Sequence, residues 1–86
     1  MEIKVLITGV GGFIGFSFAR SLLQKKNFKI IGIDNLNDYY SVKLKKDRIK
    51  ILNKFSNFQF YRNDICKIKK LKIIFKKRKF DYIFHF

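Results

Sequence analysis

Thr8-Gly9-Val10-Gly11-Gly12-Phe13-Ile14-Gly15 is a glycine-rich stretch between two segments of different apolar spacing. The near-continuous apolar run before it, residues 3–8, predicts a buried strand, and apolar residues at helical spacing after it predict a helix over 13–26. A helix N-terminus leaves backbone N–H groups unpaired and carries the positive end of the helix dipole. A strand, a tight glycine turn and a helix start therefore predict a binding site for a phosphate group.

Each glycine of the spacing Gly9-x-x-Gly12-x-x-Gly15 is predicted to have its own role. Gly9 would make the turn, Gly12 would let a pyrophosphate come close, and Gly15 would let the helix pack on the strand. Ile14 occupies the position at which the G-x-G-x-x-G form needs a glycine. We expect Phe13 and Ile14 to contact the pyrophosphate through their backbone N–H groups.

A second apolar strand, predicted over residues 29–34, ends in Asp34, nineteen positions after Gly15. An acidic residue about 20 positions after a glycine turn is placed to accept hydrogen bonds from an adenosine ribose. Asn35 is a second candidate for the same ribose. The alternative is that Asp34 only caps a turn at the end of its strand.

The remaining residues continue the alternation of strands and helices. We predict a loop over 35–40, a helix over 41–55, a strand over 58–61 that runs on to residue 64, a helix over 68–78 and a strand over 82–86. The βαβαβαβ pattern predicts the α/β class, with right-handed crossovers in a parallel sheet of order 3-2-1-4. That is the first half of a doubly wound Rossmann fold.

With these residues in view, the chain resembles the extended short-chain dehydrogenase/reductase family, in its NAD-dependent epimerase/dehydratase branch. Thr-Gly-x-x-Gly-Phe-Ile-Gly carries that resemblance, and the run Asp34-Asn35-Leu36-Asn37-Asp38-Tyr39-Tyr40, with Leu44-Lys45 and Arg48, resembles UDP-glucuronate 4-epimerases most. The resemblance covers only the N-terminal part of the family. It implies that residues 1–86 are a partial NAD-binding domain, truncated in or just after the fourth strand.

The same resemblance implies NAD as cofactor. For a complete protein it implies a nucleotide-sugar substrate such as UDP-glucuronate and is compatible with a homodimer. Asp64 and Ile65 resemble the family's adenine-contacting pair, although Asp64 could instead cap the following helix. His85-Phe86 matches the start of the family's His-Leu-Ala-Ala run, with Phe in place of Leu, and we assign His85 no catalytic role.

A Tyr-x-x-x-Lys spacing at Tyr39 and Lys43 copies the spacing of the family's catalytic pair. In the family that pair lies on a much later helix, where the Lys lowers the Tyr pKa. Tyr39 and Lys43 instead follow the second strand, so we predict no catalytic residue in this chain. The family's acid–base pair would lie past residue 86.

The net charge of the chain bears on whether it binds nucleic acid. The 20 basic and 6 acidic residues give a net charge of +14, most of it after residue 42. The lysines follow helical spacing and match no nucleic-acid motif, which favours solvated helix faces over a specific nucleic-acid patch. The alternative function is a small basic module that binds nucleotide or RNA without catalysis.

Cysteine usage and apolar run lengths exclude several classes of site. Cys66 is the single cysteine, so the sequence contains no internal disulfide and no multi-cysteine metal site. We predict no metal. The apolar runs are too short to span a bilayer and the start of the chain does not resemble a signal peptide, so we expect a cytoplasmic location and no membrane partner.

Overall fold

The computed structural model describes residues 2–36, 42–62 and 80–86. Within these ranges the elements are β1 (Ile3–Thr8), α1 (Phe13–Leu23), β2 (Phe28–Asp34), α2 (Val42–Leu52), β3 (Phe58–Arg62) and β4 (Tyr82–His85). The strands form one parallel sheet of order β3-β2-β1-β4, which confirms the predicted topology. The helix predicted over 68–78 lies outside the described residues.

The register brings the carboxyl ends of three strands to one edge of the sheet. Thr8, the last residue of β1, pairs with Ile33 of β2 on one side and with His85 of β4 on the other. The chain leaves β1 at this edge and enters the glycine turn. Ligands of open parallel sheets bind at such an edge, in the crevice outside the strand ends.

Two helices end earlier than predicted. α1 ends at Leu23 and not at residue 26, because a tight turn, in which Lys25 N donates to Leu22 O at 3.0 Å, leads directly into β2. The amide of Asn57 holds this connection by donating to Phe28 O at 2.8 Å. α2 ends at Leu52 and not at residue 55, since Phe55 N donates to Leu52 O at 3.0 Å in a similar turn. No helix in the described ranges is long and apolar enough to cross a membrane.

The main core lies between one face of the sheet and the two helices. Successive side chains of a strand point to opposite faces, so β1 contributes to both sides of the sheet. On the helix-covered face, strand residues pack against helix residues and two loop residues to form the core: Val5, Ile7 and Ile30 from the strands, Ala19, Leu23, Ile49 and Leu52 from the helices, and Val10 and Leu36 from the loops. On the other face Leu6, Ile31 and Ile33 form a second buried cluster, with Tyr61 and Phe80 packed against it.

Gly32, in the middle of β2, lets the glycine turn pack closely against the sheet. A Cβ added there would lie 2.8 Å from Val10 Cγ1 and 2.9 Å from the ring of Phe58. Val10 belongs to the turn and is fully buried. The absence of a side chain at position 32 therefore creates the space into which the turn docks.

β4 borders the sheet in the described part of the chain and carries aromatic residues on one face. Phe18 of α1 meets Phe84 with ring centroids 4.6 Å apart and Phe86 at 5.6 Å. Tyr82 stacks on Phe84 at 6.4 Å. Tyr82 and Ile83 remain more than half exposed, at 57% and 54%.

Candidate functional site

Gly9 makes the turn after β1 in a conformation that few other residues adopt. Its φ is +73°, in the left-handed region, and its N–H donates to Ile33 O at 2.8 Å. A Cβ at this position would overlap the carbonyl oxygen of Phe86. Both the dihedral angle and the close approach of the chain after β4 require glycine here.

Gly12 and Gly15 have contrasting surroundings. Gly15 is buried, and a Cβ there would overlap the carbonyl oxygen of Gly9 and lie 3.2 Å from Val10 Cα. α1 thus packs on the backbone of the turn through Gly15. Gly12 is the N-cap of α1, and among the described residues a Cβ there would meet only Gly9 O, at 3.3 Å. Within this part of the chain the space beside Gly12 is otherwise open to a ligand.

Phe13 and Ile14 form the start of α1. Their side chains are exposed, at 71% and 66%. The N-cap residue, Gly12, has no side chain with which to cap the helix start. Backbone N–H groups in the first turn of a helix have no partner within the helix, so this end is suited to an anion.

Asp34 ties the end of β2 to the glycine turn. It is 5% exposed, and its carboxylate accepts a hydrogen bond from Gly11 N at Oδ2 and another from Leu36 N at Oδ1, both at 2.8 Å. Leu36 adopts a φ of 55° to make its bond. Asp34 therefore does cap a turn, as the alternative interpretation has it, and the same residue also lines the cavity described below.

Gly11 lies beside the Asp34 carboxylate, although the spacing Gly9-x-x-Gly12-x-x-Gly15 does not include it. A Cβ there would lie 2.9 Å from Asp34 Oδ2 and 3.3 Å from Lys45 Cβ. Its lack of a side chain lets the carboxylate reach the backbone of the turn. The signal in the sequence was the pair Gly11-Gly12, where a single glycine would have served the predicted pyrophosphate contact.

Two cations of α2 that were not predicted as site residues also reach the glycine turn and Asp34. Lys45 Nζ lies 3.5 Å from Asp34 Oδ1, and Arg48 Nη1 donates to Gly11 O at 3.0 Å. They are three positions apart, so they share one face of the helix. That spacing was visible in the sequence, but the side of the sheet on which α2 packs was not.

A cavity of about 190 Å³ opens at the carboxyl edge of the sheet. It is lined by residues from the ends of β1, β2 and β4 and from α2: Thr8, Gly9, Ile33, Asp34, Asn35, Lys45, His85 and Phe86. The His85 ring nitrogen Nδ1 shares a short hydrogen bond with the Thr8 hydroxyl, which fixes the ring at the rim.

The structure brings three of the predicted site residues to this cavity, namely Gly9, Asp34 and Asn35. Gly12, Phe13, Ile14 and Gly15 form the adjoining start of α1. Asp64, Ile65 and Tyr39 lie outside the described residues, and Lys43 is exposed on α2.

Residues 6–86 match the family described as GDP-mannose 4,6 dehydratase. The chain belongs to this family of extended short-chain dehydrogenases/reductases. The predicted resemblance is thereby confirmed. A UDP-glucuronate 4-epimerase of Thermodesulfobacterium geofontis is 44% identical over 80 residues, which are 93% of this chain and 24% of that protein.

Solved structures of the family have the same fold. The UDP-glucuronic acid 4-epimerase of Bacillus cereus, in complex with NAD, aligns with a TM-score of 0.86 at 32% identity, over 96% of this chain and 26% of that one. The dTDP-glucose 4,6-dehydratase of Bacillus anthracis, also with NAD, aligns with a TM-score of 0.83 at 28% identity, over 98% of this chain and 26% of that one. The chain thus spans about a quarter of the length of these relatives.

Proposed function

We propose that this chain forms the adenosine and pyrophosphate half of an NAD site. The observation that carries the proposal is the Asp34 carboxylate held against the glycine turn, 2.8 Å from Gly11 N, at the rim of the cavity. The turn, the start of α1 and the end of β2 then meet at one place, where a dinucleotide needs all three.

Several residues around the glycine turn support this proposal. The open space beside Gly12 would admit the pyrophosphate, with the N–H groups of Phe13 and Ile14 as donors. A carboxylate has about four acceptor sites, so Asp34 retains capacity for a ribose hydroxyl after its two backbone bonds. Asn35, which also lines the cavity, is the second candidate for that ribose.

We infer that the complete activity is that of an NAD-dependent sugar-nucleotide epimerase or dehydratase. NAD would supply the hydride acceptor, and this chain's own residues would bind and orient it. The 44% identical epimerase supports a UDP-sugar such as UDP-glucuronate as substrate. Asp64 and Ile65 remain candidates for the adenine contact, and we assign no acid–base role to Tyr39 or Lys43.

Titration of NADH fluorescence against the purified chain and its Gly12→Val variant tests the proposal. The backbone of Gly12 has a φ of −72° and a ψ of 163°, which valine adopts readily, so the variant should fold. Its branched side chain would fill the space that the pyrophosphate needs. We expect NADH binding to weaken by at least about tenfold, a loss of roughly 1.4 kcal/mol or more.

Ser21→Val, at an exposed position in the last turns of α1, is the matched control and should bind NADH like the wild type. Equal NADH affinity for Gly12→Val and Ser21→Val would remove the glycine turn from the site. A parallel titration with a fluorescent single-stranded RNA addresses the alternative function. RNA binding that is tighter than NADH binding and insensitive to Gly12→Val would favour the basic binding module.

A further inference from the structure

Arg48 of α2 makes two contacts with the glycine turn and the helix that follows it. Its Nη1 donates to the carbonyl oxygen of Gly11 at 3.0 Å, and its guanidinium carbon lies 5.8 Å from the centroid of the Phe13 ring. The side chain is partly buried between α2 and the turn. One residue of a different element thus contacts Gly11 and Phe13, the two neighbours of Gly12.

The carbonyl of Gly11 and the N–H of Gly12 belong to one peptide group. Arg48 donates to the oxygen of that group, and the N–H of the same group, from Gly12, donates to Gly9 O at 3.1 Å. The preceding peptide group is held by Asp34, through Gly11 N. Asp34 and Arg48 therefore fix the two consecutive peptide groups that meet at Gly11.

Such fixation matters because glycines have the widest conformational freedom of all residues. A turn that contains Gly9, Gly11 and Gly12 would have to be ordered when a ligand binds, at a cost in conformational entropy. A turn that is already held in its bound shape avoids that cost, so its affinity for the ligand is higher. The guanidinium also places a positive charge beside Phe13, at the start of α1.

We propose that Arg48 is a positioning residue for pyrophosphate binding, which it promotes by holding the Gly11–Gly12 peptide group and the Phe13 ring in place. The inference rests on the proposed NAD site. It requires arginine because the planar group donates to a carbonyl while its carbon stays within cation–π distance of the Phe13 ring, whereas a lysine ammonium is a point charge.

The test compares wild type, Arg48→Met, Arg48→Lys and Lys46→Met in titrations with NADH, ADP and adenosine. Methionine keeps the apolar stem of Arg48 and removes the guanidinium. Lys46→Met removes the same charge from an exposed position of α2. We expect Arg48→Met to weaken NADH and ADP binding by about tenfold and adenosine binding by less than about twofold.

Arg48→Lys should lie between wild type and Arg48→Met for ADP, and Lys46→Met should match wild type for all three ligands. If Arg48→Met does not fold, Phe13→Leu serves in its place, because it removes the ring contact at a 71% exposed position. Phe13→Leu should also weaken ADP more than adenosine.

Unchanged ADP affinity in Arg48→Met overturns the inference. An equal loss of affinity for adenosine and ADP also overturns it, because that result means that Arg48 only stabilises the fold. A wild-type chain that binds neither NADH nor ADP overturns the proposed function, and the inference falls with it. The wild-type titration therefore separates the two failures.

Discussion

Gly11 and Asp34 are joined by a buried hydrogen bond of 2.8 Å, from the backbone N–H to the carboxylate, although 23 positions separate them in the chain. The bond links the loop after β1 to the end of β2. It holds the glycine turn at the sheet edge, so the shape of the candidate site depends on a charged side chain inside the fold.

Asp34→Asn should destabilise the chain. An asparagine has one acceptor oxygen for two backbone donors, so either Gly11 N or Leu36 N loses its partner. We expect the free energy of unfolding to fall by about 1.5–3 kcal/mol, as is typical of hydrogen bonds to charged groups. Urea denaturation measures it. Asp47→Asn, on the exposed side of α2, is the control, and equal midpoints for the two variants would contradict the prediction.

Gly9→Ala should be more destabilising than Gly12→Ala. Gly9 combines a φ of +73° with a close approach to Phe86 O, whereas Gly12 has an ordinary φ of −72°. Left-handed strain and overpacking together should cost at least about 2 kcal/mol at position 9. At position 12 alanine loses no side-chain bond and meets only the contact with Gly9 O at 3.3 Å, so the cost should stay below about 1 kcal/mol. Thermal or urea unfolding of both variants decides the order, and a larger effect at position 12 would refute it.

The chain should bind NADH more tightly than NADPH. Asp34 would face the ribose, and two unit charges at 4 Å repel by roughly 1–4 kcal/mol between water and a near-surface environment. We expect at least about fivefold preference in fluorescence titrations at physiological salt. Lys45→Met should widen the preference, because Lys45 Nζ lies 3.5 Å from Asp34 Oδ1 and offsets its charge. Comparable affinities for the two cofactors in the wild type would count against a ribose contact by Asp34.

Ile83→Lys should reduce self-association of the 86-residue chain. β4 pairs with β1 and borders the described sheet, and Ile83 is 54% exposed. An apolar border strand offers unpaired backbone groups and apolar side chains to a second copy, and a lysine opposes that contact. Sedimentation velocity should show a lower weight-average mass for the variant. Val42→Lys, which adds the same charge on α2, is the control, and an equal effect there would mean that net charge alone is responsible.

The order of elements and the parallel sheet could be predicted because the signals are local. Apolar spacing distinguishes β1 from α1, and the need for glycine at the turn follows from backbone geometry at Gly9 itself. The ends of α1 and α2 were predicted too far along the chain. Phe55 continues the apolar spacing of α2 in sequence, and Lys25 suits the negative end of a helix dipole, but the turn that leads into the next strand sets where each helix stops.

The partners within the site depend on how distant segments pack. Asp34 was predicted at the sheet edge, but its bonds to Gly11 and Leu36 could not be, since spacing alone does not say which backbone groups a carboxylate reaches. Arg48 reaches Gly11 over 37 positions, and only the docking of α2 beside α1 creates that contact. Periodicity and glycine spacing, which act over a few residues, thus specify the strand–turn–helix frame. Which side chains hold the turn depends on contacts between elements that are far apart in the chain, and these form only when the sheet and its helices pack together.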